Sequence, residues 1–168
     1  LNMFPHENAS EIERSAVDLG SIDFQDYNTW KWFDLHRKNS DQPVYRFLFS
    51  KVVPPAKHTD LAIYKPPLGP RHAQDIPYAW GTIVSDSLTN FQKIDYQLSE
   101  LMQQYYFNFI KNGDPNGDSL PKWPSVEVNS KTPLIMNFDI KTGLIKADMD
   151  YRYQFFDQIY QGKTHWVK

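Results

Sequence analysis

The clearest periodic pattern lies in the second half of the chain. Leu98, Leu101, Met102, Tyr105 and Phe109 fall at i, i+3, i+4, i+7 and i+11, one apolar stripe of an amphipathic helix. Gly113 supplies a left-handed cap position at its end. The run Asp114-Pro115-Asn116-Gly117 then signals a turn. Earlier, Ser10 and Glu13 have capping-box spacing, which predicts a short helix from there to Leu19 with a stop at Gly20. A second helical region starts at Asp23 and Phe24 and runs through Trp30 and Phe33 to Arg37. Its aromatics Phe24, Tyr27, Trp30 and Phe33 predict a buried face. Val44 to Phe49 is short and apolar, with Arg46 its only charge, and reads as a mostly buried strand ended by Pro54-Pro55.

Near the C-terminus, Leu134 to Phe138 reads as a strand. Lys141-Thr142-Gly143 offers a turn and Leu144 to Asp148 a return strand. A final helix carries Tyr151, Phe155, Phe156 and Ile159, and Trp123, between prolines, is expected to plug a surface groove. Few strands alternating with helices indicate an α/β architecture. With no internal repeat, low-complexity tract or evident linker, residues 1–168 are expected to form one unit.

Composition narrows the function. The 168 residues are 40% hydrophobic and 15% aromatic, enough for a core. The 18 basic and 20 acidic residues give a net charge of −2, which argues against a nucleic-acid partner. With no cysteine there is no disulfide, thiolate zinc site or cysteine nucleophile. His6, His36, His58, His72 and His165 show no metal-ligand spacing, so no metal and no cofactor is expected. No apolar run approaches a membrane span, and Leu1 to Pro5 lack signal-peptide architecture.

Candidate chemistry centres on Gly69-Pro70-Arg71-His72-Ala73-Gln74-Asp75-Ile76-Pro77-Tyr78-Ala79-Trp80-Gly81. Pro70 and Gly69 disfavour a regular helix before His72, so the imidazole is expected on a loop. Neutral imidazole can take up a proton and return it near pH 7. A lone histidine more often caps or packs a loop. Asp75, three residues on, suits a cap or a partner of backbone N–H groups better than an orienting carboxylate. Asp23 reads either as a buried, hydrogen-bonded support or as a solvated cap. The stretch from Lys51 to Pro70 holds five prolines, and reads equally as a substrate entrance or a surface excursion. No Gly-x-Ser-x-Gly occurs in the chain.

The pattern Gly-x-x-His-x-x-Asp-Ile-Pro-Tyr-x-Trp-Gly resembles the segment around the catalytic histidine of type-B carboxylesterases, the family that includes the cholinesterases. Three further stretches agree in order: Pro43 to Phe49, Leu98 to Gly117, and Leu120-Pro121-Lys122-Trp123-Pro124. The resemblance covers most of the chain after about Ser21 and only the C-terminal end of such an enzyme. It implies the C-terminal section of an α/β-hydrolase: the last central strands, covering helices and the histidine loop. It carries over one catalytic residue only, His72; apart from the resemblance, Asp23 and Asp75 are candidates for structural support near the site. The matching acidic position in that family is not the triad acid, so nucleophile and acid are expected outside this chain. The implied partners are a small ester substrate and the N-terminal part of the same enzyme, and many relatives are secreted or periplasmic.

Two other functions compete. Some relatives keep the fold as non-catalytic adhesion or binding proteins, and His72 in its full context favours the enzyme. An aromatic-rich carbohydrate-binding module would call for an all-β pattern, which this chain lacks.

Overall fold

The structure is a computed structural model and describes residues 3–162. Leu1, Asn2 and His165, used above, lie outside the described residues. In chain order the elements are α1 (Ala9–Ser21), a π-helical turn (Ile22–Asp26), α2 (Tyr27–Asn39), β1 (Phe47–Phe49) and α3 (Ile76–Ala79). A 3-10 turn (Thr82–Ser85), α4 (Lys93–Asn112), β2 (Leu134–Phe138), β3 (Gly143–Lys146) and α5 (Asp150–Tyr160) follow. The chain divides into two compact units. The first takes in residues 3–46, 125–134 and 146–162 of those described, the second Phe47–Pro124 and Ile135–Ile145.

In the first unit, α1 begins earlier than the Ser10–Glu13 pair predicts. Asn8 and Glu11 have the same spacing. The Asn8 side chain accepts the Glu11 amide at 3.0 Å, and Glu11 Oε2 accepts the Glu7 amide at 2.9 Å. Asparagine caps as well as serine does, so the upstream pair starts the helix. Nor does the helix stop at Gly20. That residue lacks the positive φ of a glycine cap, and the chain runs through the π turn into α2. Burial of Ile22 and Trp30 along this continuous rod offsets the roughly 1 kcal/mol that a helical glycine costs. Phe24 is 64% exposed, so the predicted aromatic face is incomplete. A strict spacing of three lags the helical turn by about 60° per step, and three steps carry Phe24 to the far side from Phe33.

Charges are paired wherever this unit buries them. Arg46 Nη1 reaches both oxygens of buried Asp150, at 2.9 and 2.7 Å, and Trp30 Nε1 donates to Asp150 at 3.2 Å. The guanidinium groups of Arg37 and Arg46 lie 5.1 and 5.0 Å from the Phe33 ring centre, within cation–π range. Arg37 also donates to the carbonyls of Glu127 and Ser130, tying α2 to that loop. Arg152 bonds Asp18 at 2.6 Å, joining α5 to α1. On α2, Asp34 accepts from Arg37 at 2.8 Å and from Lys38 at 2.6 Å.

The second unit holds a three-stranded sheet in the order β1-β2-β3, with β1 and β2 parallel and Phe47, Leu48 and Phe49 opposite Met136, Asn137 and Phe138. The short β2–β3 connection permits only an antiparallel pairing, so the sheet is mixed. β2 matches its predicted bounds. β1 is shorter than predicted, because Arg46 is committed to Asp150, and Leu48 is 48% exposed. Phe47, Tyr105, Trp123 and Phe138 pack edge to face around the sheet, with centroids 5.3 to 6.1 Å apart where they touch. Trp123 is therefore core and does not plug a surface groove. The Asn116 side chain binds its amide at 2.7 Å and its carbonyl at 2.8 Å. α4 buries Leu98, Met102 and Tyr105 but leaves Phe109 half exposed, a narrower stripe than predicted. Gly113, at φ +72°, ends it as expected.

Burial alone would raise the Asp34 carboxyl, but the hydrogen bonds from Lys38 and Arg37 outweigh it and hold the group below its ordinary range. A folded-state pKa below the unfolded one means stabilisation that is complete above the unfolded pKa and lost as pH falls through the folded one. Asp34→Asn is expected to cost about 2 kcal/mol at pH 7. That deficit should shrink as pH falls below the ordinary carboxylate range, as measured by urea unfolding across the range.

Candidate active site

His72 sits on an exposed turn directly before α3, as the Gly69-Pro70 breakers predict. The turn is closed by Gln74, whose Oε1 accepts the Arg71 amide at 2.7 Å and whose own amide donates to the Arg71 carbonyl at 3.2 Å. The next residue, Ala73, adopts φ +65°, the left-handed region that an L side chain enters at a cost of about 1–2 kcal/mol. Ile76 N–H then bonds the Ala73 carbonyl and opens α3. The imidazole is thus carried by a tight, strained turn with side-chain closure, not by a floppy loop. Backbone strain of this kind tends to collect at functional sites.

A buried, hydrogen-bonded cluster lies six residues on. Tyr78 is fully buried. Its hydroxyl donates to Asp95 Oδ1 at 2.7 Å, and its carbonyl accepts the Ser99 hydroxyl at 2.7 Å. Asp95, also fully buried, accepts the Gln92 amide at 2.8 Å in the first turn of α4 and faces Lys51 Nζ at 3.0 Å. Lys51 also donates to the Val52 carbonyl at 2.7 Å. Burial, then the hydrogen bond to Asp95, pushes the Tyr78 phenol far above its ordinary range, so it stays a donor. At the end of the motif Gly81 has φ +69°, and a Cβ there would lie 2.5 Å from Gln103 Oε1. Only glycine fits. Gln103 in turn donates to the carbonyl and hydroxyl of Ser99. The pattern Gln92-x-x-Asp95, a capping-box spacing, was the available signal for this cluster, and it passes unremarked beside the more obvious apolar stripe.

Asp75 occupies the position before α3, where its carbonyl accepts the Ala79 amide, but its carboxylate makes no cap bond. Its αR backbone aims the side chain away from the helix N–H groups, unlike the extended backbone of a working cap. Asp75 instead adds to the burial that raises the Tyr106 phenol. Asp23 is exposed on the π turn of the first unit and is not the buried support considered above. A groove of about 320 Å³ runs behind the histidine turn, lined by Val53, Gln74, Pro77, Tyr78, Ile83 and Phe91. The Lys51–Pro70 loop enters it through Val53, and one antiparallel bridge, Ala56 to Thr89, pins that loop. Among the described residues no three His, Asp or Glu side chains converge as a metal site, and no helix is long and apolar enough to cross a membrane.

Comparison with known proteins decides the family. The profile of the Carboxylesterase family matches residues 3–156. The chain belongs to the carboxylesterase family. It is 27% identical over 133 residues to an acylcarnitine hydrolase of Mus musculus, covering 79% of this chain and 22% of that protein. It is 26% identical over 121 residues to a cocaine esterase of Homo sapiens, covering 72% of this chain and 20% of that protein. This carboxylesterase chain therefore spans about a fifth of the curated relatives' length. The structure matches a carboxylesterase of Geobacillus stearothermophilus with a TM-score of 0.64 at 16% identity, over 90% of this chain and 29% of that one. It matches an esterase of Clostridium hathewayi, described as hydrolysing aliphatic aromatic polyesters, with a TM-score of 0.61 at 23% identity, over 88% and 26%. At those identities the matches establish the fold, part of an α/β-hydrolase.

Relief of the Ala73 strain is measurable. Ala73→Gly removes about 1–2 kcal/mol of left-handed strain and adds about 0.4–1 kcal/mol of unfolded-state entropy. The variant is expected to be more stable by roughly 0.5–1 kcal/mol. Ala73→Val should be less stable than wild type, both read from denaturant midpoints.

Proposed function

We propose that this chain supplies the catalytic histidine of a serine carboxylesterase, and that 1–168 is one part of that catalytic domain, its nucleophile and triad acid coming from the remainder. The observation that carries the reading is His72 on its exposed, strained turn, held inside a fold of this family. Ile76 and Trp80, four apart on and just after α3, are both exposed beside it. They offer apolar surface to an ester.

The chemistry asks little else of the chain. His72 takes the proton of a serine hydroxyl as its oxygen attacks the ester carbonyl. The tetrahedral intermediate collapses, the carbon–oxygen bond to the alcohol breaks, and the imidazolium returns the proton to the leaving alkoxide. Water then enters; His72 takes its proton while the hydroxyl attacks the acyl group, and gives that proton back to the serine. No cofactor takes part in these steps. The triad order in this fold, nucleophile then acid then histidine, supports a chain that holds the histidine without Gly-x-Ser-x-Gly before it.

Two outcomes test this. The 168-residue chain alone should not turn over activated esters above a histidine-in-water background; turnover abolished by a serine-directed phosphonate would contradict it. In a carboxylesterase carrying this chain with its nucleophile, His72→Ala should lose three or more decades of turnover. Asp75→Asn should be much milder. Both are to be measured beside circular dichroism spectra showing intact folding, and equal collapse of the two would make Asp75 a working partner of the histidine.

A further inference from the structure

We propose that Tyr78 is the positioning residue of the histidine turn, and that the buried Asp95–Lys51 pair exists to hold it. The proposal rests on the catalytic reading of His72 for its kinetic consequence and on geometry alone for its structural one.

Tyr78 is gripped at two points by one helix. Its hydroxyl bonds Asp95 and its carbonyl accepts from Ser99, residues four apart on α4. Together these fix both the position of the Tyr78 backbone and the direction of its ring. α3 is a single turn of four residues, too short to hold itself. The ring packs on Phe49 of β1, centroids 5.2 Å apart, and on Phe91 at 5.8 Å. From Tyr78 back to His72 there is no slack. Each step is a bonded turn, Ala79 to Asp75, Ile76 to Ala73 and Gln74 to Arg71. A displacement of Tyr78 is therefore passed to the backbone that carries the imidazole.

The burial of charge points the same way. A hydrogen-bond acceptor for one phenol need not be ionised. Here the acceptor is a carboxylate that is 0% exposed and brings a buried ammonium with it. An ion pair in such a place contributes little net stability over apolar residues of the same size. What it adds is direction. The phenol has one strong acceptor, and that acceptor is oriented by Lys51 and the Gln92 amide. Lys51 lies just after β1, so the same cluster also fixes the start of the loop that runs into His72.

The test compares Tyr78→Phe with Tyr105→Phe. Tyr105 is equally buried, and its hydroxyl donates to the Pro121 carbonyl at 2.6 Å, away from the histidine turn. Both variants lose one buried hydroxyl bond and keep the ring. Amide hydrogen exchange on the 168-residue chain should show protection of Ile76, Ala79 and Trp80 falling at least tenfold further in Tyr78→Phe than in Tyr105→Phe, after correction for global stability. In a carboxylesterase carrying this chain with its nucleophile, Tyr78→Phe should lower kcat roughly tenfold to a hundredfold. KM should stay within about twofold, and Tyr105→Phe should leave kcat near wild type. Equal exchange profiles in the two variants would overturn the positioning role and leave Tyr78 as ordinary core. Loosened exchange with unchanged kcat would also overturn it. His72→Ala, run alongside, keeps the two readings distinguishable: if it retains turnover, the catalytic assignment of His72 fails, and the exchange comparison alone decides whether Tyr78 holds the turn.

Discussion

A carboxylate with no access to water must be satisfied by its neighbours, and Asp95 imposes that condition on the second unit. It is met from three directions: the Tyr78 hydroxyl, the Lys51 ammonium and the Gln92 amide. Each donor belongs to a different segment, respectively the histidine motif, the start of the proline-rich loop and the first turn of α4. An unpaired buried charge costs several kcal/mol, so none of the three can leave alone. The neighbouring close approach of Gly81 to Gln103 and the Ser99 bond to the Tyr78 carbonyl extend the same constraint by one turn of α4. The Gly81 requirement and the Tyr78 requirement have one origin, which is that this short motif must lie flat against a long helix.

The first unit solves a different problem with similar means. α1, the π turn and α2 form one continuous rod, and α5 packs on it through two charge pairs, Arg152 with Asp18 and Lys31 with Asp157, and a hydrogen bond from the Tyr27 hydroxyl to Asp157. The Tyr27 phenol is pushed up to about 12 by burial and its bond to Asp157, so it remains a donor over the physiological range. Arg46 matters beyond its own pair. Because its side chain is committed to Asp150 and lies over Phe33, the residues before Phe47 belong to this unit and the strand cannot extend backwards.

The carboxylesterase family supplies the chemical setting, and this chain spans about a fifth of the curated relatives' length. Within that share the residue type with acid–base reach near neutrality in the motif is His72. Its exposure and its rigidity come from opposite sides of one turn. The imidazole faces outward from a backbone locked by Gln74, by left-handed Ala73 and by Tyr78 beneath. Preorganisation of this kind is what the catalytic role proposed for His72 would require.

Local chemistry determined what could be read without coordinates. Breakers before His72 put it on a turn; a short apolar run placed β2; a period near 3.6 placed α4, and Gly113 ended it. These signals are short-range, and the structure follows them. Long-range packing decided the rest. Gly20 is a stop signal by itself, yet the burial of Ile22 and Trp30 carries the helix through it. Trp123 between prolines looks like a surface plug, but Asn116 and the ring cluster draw it into the core. Val44 to Arg46 has strand character, and a partner more than a hundred residues away takes Arg46 out of the sheet. The cluster of Lys51, Tyr78, Asp95 and Ser99 is the clearest case. Each residue alone is unremarkable in the sequence. Only folding brings them within hydrogen-bond distance, and only burial, by removing competing water, makes those bonds decide where His72 stands.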